Sequence, residues 1–314
     1  MAAAQERHQS GLLTNMSYKI EQNLTDYIAS KICPIVTVAN ETDDFLKFLK
    51  SFWYRNYAKL IPEGDPTPLA DYGTETDSYR TKEHGIATRI TKRARKNADA
   101  IHRLLFNKNS FVTGNILRKR ELVTAALMFS ATNFTNTSAV SVKWDQIATA
   151  TIIDDILLAL EAVPNQIGVE ANTIAVGRAN MRYIKRNAQV LASLFGAGGD
   201  GPQVVTESML ARFFGVSQFL VGKGKYTTDP EGTAEADVTY TDIWGQDYCW
   251  VGYVAPAPAV EMPSAAYTFQ AGRSIRQWNE TSTENIIVDG KENSDTKLVS
   301  ADAGYLLTGL GPTT

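Results

Sequence analysis

Histidine and cysteine are scarce in this chain of 314 residues: Cys33 and Cys249 are its two cysteines, and His8, His84 and His102 its three histidines. No Cys-x-x-Cys pair, no His-Glu-x-x-His and no Cys/His group at metal-ligand spacing occurs, so zinc and thiol redox chemistry have no sequence support. A disulfide between two such distant cysteines is disfavoured in a reducing compartment. Long apolar runs are missing as well. No stretch approaches the ~18 to 20 residues of a membrane helix, and Met1 to Met16 lacks the apolar segment of a secretory signal, so a cytoplasmic protein is expected. A Gly-x-Ser-x-Gly elbow is absent. The glycine-rich run Gly196 to Gly201 follows a helix and is continued by Pro202 and Gln203 instead of a Lys-Ser/Thr pair, which makes it a connector and not a phosphate cradle. Asp154 and Asp155, adjacent on a helix, point in different directions and read as a solvated face. His84, in Glu83-His84-Gly85, reads as a turn or core histidine. No catalytic, cofactor-binding or metal-binding residue is expected, and no cofactor.

What is present is the composition of a soluble globular protein, 44% hydrophobic and 21% charged, long enough for roughly two domains at about 150 residues each. The formal net charge of −3 argues against a surface that grips nucleic acid everywhere by counterion release. That small number conceals a segregation. Between Arg80 and Arg120 lie twelve basic residues opposed only by Glu83 and Asp99, a net of +10 that leaves −13 for the rest of the chain. Directly upstream, Leu60 to Tyr79 holds Glu63, Asp65, Asp71, Glu75 and Asp77 and no Lys or Arg. Three readings of the basic run stand: a solvated helix face, a nucleic-acid surface, or a surface that meets an acidic segment of another subunit. Phe106 and Phe111 fit a core stripe better than a stacking platform, which weakens the second.

Along the chain, residues to about Asn15 read as a flexible arm. A helical stretch from Ser17 gives way at Cys33-Pro34 to the extended Ile35 to Val38. The aromatic Phe45 to Ala58, the turn-prone Pro62 to Pro68 and the alternating Tyr72 to Ile90 suggest a long two-stranded excursion, which needs something to lie on because an isolated ribbon is marginal in water. Ala98 to Phe129 carries Ile101, Leu105, Val112, Ile116, Val123 and Met128 at helical spacing, with Gly114 as a possible kink or break. Helices and strands then alternate. A helix from about Ala150 to Val163 is expected to stop at Pro164, and another over Thr206 to Phe214 has Thr206 as cap and Gly215 past its end. Strands are expected at Asn172 to Val176, Gln218 to Gly222, Tyr248 to Val254 and in short pieces from Tyr267 onward.

Six phrases along this order, Asn172-Thr-Ile-Ala-Val-Gly177, Leu210-Ala-Arg-Phe-Phe-Gly-Val216, Val221-Gly-Lys223, Ile243-Trp-Gly245, Tyr253-Val-Ala-Pro256 and Ala301-Asp-Ala-Gly-Tyr305, carry a resemblance. The chain resembles the major capsid proteins of tailed double-stranded DNA bacteriophages, the Hong Kong 97 type fold. The resemblance implies an α+β chain divided into an N-terminal arm with the first helix and strand (1–44), an extended β-ribbon loop (45–90), a peripheral domain with a long spine helix (91–163), an axial α/β domain (164–262) and return strands completing the peripheral domain (263–314). It implies a non-enzymatic subunit that assembles into hexamers and pentamers of an icosahedral shell around double-stranded DNA, without sequence-specific binding. Scaffolding protein, portal and a decoration protein are the implied partners, no membrane is involved, and the implied location is the virion after assembly in host cytoplasm. On this reading Glu63, Asp65, Asp71, Glu75 and Asp77 of one subunit face Arg89, Arg93, Arg95, Lys96, Arg118, Lys119 and Arg120 of the next. Two alternatives remain: a cellular nanocompartment shell of the same fold, and a nucleotide-dependent α/β enzyme.

Overall fold

The computed structural model describes residues 26–97, 101–196, 204–257 and 264–312. The expected arm, the start of the first helix and the connector at 197–201 lie outside them.

In chain order the elements are α1 (Ala29–Ile32), β1 (Ile35–Thr37), β2 (Thr42–Phe48), α2 (Lys50–Trp53), β3 (Thr74–Arg80), β4 (Lys82–Ile90), α3 (Lys92–Lys96), α4 (Ile101–Met128), β5 (Asn136–Ala139), α5 (Ile152–Ile167), β6 (Thr173–Gly177), α6 (Arg178–Ile184), α7 (Ala188–Phe195), α8 (Glu207–Phe213), β7 (Gln218–Gly222), β8 (Lys225–Tyr226), β9 (Thr241–Asp242), β10 (Tyr248–Gly252), β11 (Ala266–Glu280), β12 (Asn285–Leu298) and β13 (Gly304–Thr308). They form a five-stranded sheet in the order β5-β13-β10-β6-β7, a four-stranded sheet β1-β11-β12-β4, and two-stranded ribbons β2-β3 and β8-β9.

Both faces of the five-stranded sheet are covered. Ile174, Val176, Phe219, Val221, Cys249 and Val251 pack towards Ile152, Ile156 and Val163 of α5 and Leu210 of α8. The alternate residues Ala175, Leu220, Trp250 and Leu306 pack towards Ile28 and Ile32 and the end of α4. Strands covered on both sides bury every side chain, which is why they read as continuous apolar runs. The capping signals also act as expected: the Thr206 side chain accepts the Met209 N–H, and Gly215 follows α8 at φ +70°.

α4 runs unbroken through Gly114, whose missing side chain would meet open space. At ~1.5 Å per residue its 28 residues span about 42 Å, enough to serve two sheets. Leu105, Val112 and Ile116 lie on Ile86 and Val288 of the four-stranded sheet, while Ala125 and Met128 join the core beneath the five-stranded one. Gly290 of β12 lets the helix come close, since a Cβ there would collide with Val112 and Ile116.

Several expectations change. Pro164 does not stop α5; it lies in the last turn, where its lost N–H costs one bond, and the helix ends at Gly168 with φ +67° and its N–H on the Pro164 carbonyl. A boundary at 163/164 therefore falls inside a helix. The single strand expected over Tyr72 to Ile90 divides at Thr81, whose N–H and hydroxyl both reach the Glu41 carbonyl at 2.8 and 3.1 Å. Only β3 belongs to the ribbon, paired antiparallel with β2; β4 pairs with β12, where Ile90 is buried. The short pieces after Tyr267 are two long strands, β11 and β12, joined as a hairpin, and β13 joins the five-stranded sheet instead of the four-stranded one. Asp154 is exposed, but Asp155 is half-buried: it accepts the Trp144 Nε1–H at 2.9 Å, and burial raises its pKa against that hydrogen bond.

Candidate functional site

The ribbon's root is fixed by aromatic packing. Tyr79 stacks on Phe269 at 4.6 Å between ring centroids, and Phe45 lies 5.4 Å from the same ring. Asp77 is held by Lys297 and by Lys47, the latter at 2.5 Å. Burial works to raise the Asp77 pKa, but hydrogen bonds from Lys297, Lys47 and the Ser78 N–H prevail and hold it at about 2.

Beyond Phe48 and Thr74 the chain makes a 49–73 tip that is anchored near its start. Lys50 pairs with Asp302 at 2.5 Å, and the Tyr54 hydroxyl donates to the Ile167 carbonyl. The rest stands off the body: Leu60 is 96% and Leu69 100% exposed. Glu63, Asp65, Asp71 and Glu75 are exposed, and none of the four makes an ion pair within the described residues.

The basic surface begins at α3, capped by the Thr91 hydroxyl accepting the Ala94 N–H. Arg89, Arg93 and Lys96 are exposed and Arg95 half-buried; on α4 Arg118 is half-buried and Lys119 exposed. Phe106 and Phe111, expected in the core stripe, are exposed on α4 instead. Val112 and Ile116 take the sheet-facing positions.

Within one chain the structure brings none of the five acids onto the seven basic residues. Two members of the expected set are engaged elsewhere. Asp77 is neutralised by its own chain's lysines, as above. Arg120 is buried against Glu292 of β12, with side chains 7% and 4% exposed and Nη2 2.7 Å from Oε1. A buried arginine left without its acid would be strongly unfavourable, so Arg120 is held to Glu292, while Asp77 is half-buried and already paired with two lysines. Beside Arg120, Glu121 is also fully buried. Its carboxylate accepts the Ile28 and Ala29 N–H groups at 2.8 and 2.9 Å and the Trp244 Nε1–H at 2.6 Å, tying α1 and Trp244 to the long helix. Burial raises its pKa, and these donors oppose the rise. Sequence reasoning missed Glu121; its signal is a lone acid at the start of the helix's apolar last stretch, Leu122, Val123, Ala125, Ala126, Leu127 and Met128.

A cavity of about 230 Å³ opens between α4 and the four-stranded sheet, lined by Lys82, His84, Lys119, Arg120 and Glu292 among others. His84, expected in a turn or the core, is an exposed residue of β4 at its edge.

Both cysteines are buried and free, and burial pushes both thiols up, away from reactivity. Among the described residues no group of His, Cys, Asp and Glu is placed to hold a metal, and no helix is long and apolar enough to cross a membrane.

No family model matches this sequence, and no curated protein does. Solved structures match over nearly the whole chain. A phage-related protein from Bordetella bronchiseptica is 21% identical with a TM-score of 0.69, covering 97% of this chain and 98% of its own. The capsid of the cyanophage P-SCSP1u is 10% identical, TM-score 0.59, over 88% and 86%. The virus-like particle of Pyrococcus furiosus is 8% identical, TM-score 0.52, over 88% and 90%. The architecture is the α+β Hong Kong 97 type capsid fold.

Proposed function

We propose that this capsid-fold chain is a structural shell subunit, the major capsid protein of a tailed double-stranded DNA bacteriophage. It assembles into hexamers and pentamers of an icosahedral shell around the genome and performs no catalysis. The likeness to phage capsid structures over nearly the full length carries the reading. In this reading the four-stranded sheet with α4 is the peripheral part, the five-stranded sheet with its helices is the axial part, and β2-β3 with the 49–73 tip is the extended loop.

The ribbon supports it, because a two-stranded ribbon with an apolar tip is stable only when something covers it. Glu63, Asp65, Asp71 and Glu75 of one subunit then face Arg89, Arg93, Arg95, Lys96, Arg118 and Lys119 of its neighbour, and Leu60 and Leu69 meet Phe106 and Phe111. Each exposed pair contributes at most about 1 kcal/mol, but repetition at every contact of a closed shell sets register and disfavours wrong pairings. Scaffolding protein and portal are the partners proposed for this role, a decoration protein being an optional addition, and the proposed mature location is the virion, assembled in host cytoplasm.

A second reading, a nanocompartment shell, is favoured by the likeness to the Pyrococcus furiosus virus-like particle. Electron microscopy of the purified protein, with assay of enclosed nucleic acid, decides. Uniform icosahedral shells or capsomers support the shell role, and a DNA-filled, tail-bearing particle supports the phage reading. A monodisperse monomer at every concentration would overturn both.

A further inference from the structure

The cavity between α4 and the four-stranded sheet gathers basic side chains from two elements. Alternation along β4 puts Lys82 and His84 on one face, in register with Ser294 and Glu292 of β12. The same face carries Ile86, on which α4 packs, and α4 adds Lys119 and Arg120 to the lining. Lys82, Lys119 and Arg120 bring three positive charges against the two acids there, Glu292 and Asp295. One positive charge is left over even with His84 neutral.

Both acids are already engaged. Glu292 Oε1 accepts the Arg120 Nε–H at 2.9 Å and the Ser294 hydroxyl at 3.0 Å, and Asp295 accepts the Arg80 N–H at 3.1 Å. Arg120 is thus answered by Glu292, whereas Lys82 and Lys119 make no ion pair or hydrogen bond with the described residues. A concave wall with an excess of one sign of charge concentrates counter-ions of the other.

The volume limits what enters. About 230 Å³ is the share of roughly eight waters at ~30 Å³ each, and it falls short of the ~300–1,000 Å³ of pockets that enclose drug-sized ligands. A small hydrated ion fits and a nucleotide does not. Each lysine offers three N–H donors and His84 offers a ring N–H, so an ion with several acceptor oxygens can take hydrogen bonds from all three at once.

We infer that this cavity is a binding site for a free tetrahedral oxyanion of the phosphate and sulfate class, held by Lys82, His84 and Lys119 over the Arg120–Glu292 pair. The site is contained in one chain. Lys119 is shared with the proposed contact between subunits, but Lys82 and His84 have no part in it, so the oxyanion site can fail while the shell reading stands.

The test is calorimetric titration of inorganic phosphate, and then of sulfate, into the purified full chain at constant ionic strength. Saturable binding at one site per chain is expected, with no such signal from chloride. Lys82→Gln should weaken it by roughly tenfold or more, the loss of one charged hydrogen bond, and Lys82→Arg should restore much of it. Heats that never saturate, or that Lys82→Gln leaves unchanged, refute the site. A second measurement needs no variant: phosphate should slow acetylation of Lys82 and Lys119, read by mass spectrometry, more than that of the exposed Lys185. Equal protection of all three refutes the site as well. Adenosine monophosphate should not compete with phosphate; if it bound as tightly, the site would take phosphate esters and the assignment to a free ion would fall.

Discussion

On β6 every residue from Thr173 to Gly177 is buried, whereas on β3 of the ribbon Tyr79 alone is. The first strand lies between two apolar layers that its own chain supplies; the second has a fixed root and a tip with nothing over it. Ordering a residue costs on the order of 1–2 kcal/mol of entropy, which the five-stranded sheet offsets by burial and the ribbon does not. The five-stranded sheet is thus complete within the chain, and the ribbon tip is what the proposed assembly would cover.

The largest expected effect breaks the self-sufficient side. Trp250, fully buried between β6 and β13, changed to alanine should cost about 3–5 kcal/mol, seen as a lower urea midpoint of the unassembled chain. Next comes the junction. Arg120→Ala leaves Glu292 buried without its cation and should cost about 3–5 kcal/mol, whereas joint Arg120→Met and Glu292→Leu should cost far less; paired denaturation curves measure the difference.

Acid titration separates two further groups. Asp77, held at about 2 in the fold, contributes stability that is present above the ordinary aspartate pKa near 4 and lost as pH falls towards 2. Asp77→Asn should flatten that limb of the stability profile. Glu121 has the opposite sign. With its folded pKa raised, it favours the fold more as pH falls towards the ordinary glutamate pKa, and Glu121→Gln should remove that rise. The smallest effect sharpens the comparison most. Leu60→Ser with Leu69→Ser should change the stability of the single chain by less than about 0.5 kcal/mol yet reduce particle yield in a sedimentation assay.

Much of the fold was legible. The strands β6, β7 and β10 stand out because a doubly covered sheet requires unbroken apolar runs, and α8 is marked at both ends by Thr206 and Gly215. β11 and β12 were legible only in fragments, because their middles alternate polar residues and are held by a backbone ladder that leaves no apolar trace. The break at Thr81 depends on a carbonyl forty residues upstream, at Glu41, and no local pattern records it. The candidate surface was legible as segregated charge, but its membership was not: Asp77 and Arg120 look like their exposed neighbours in sequence.

By itself the sequence determined that an acidic excursion precedes a basic helix and that the cysteines and histidines of zinc or thiol chemistry are nearly absent, since composition and order need no coordinates. Only the tertiary structure decided which charges are already neutralised within the chain and which remain open. Charges are paired by distance in space, and the partner of Arg120 lies 172 residues away along the chain.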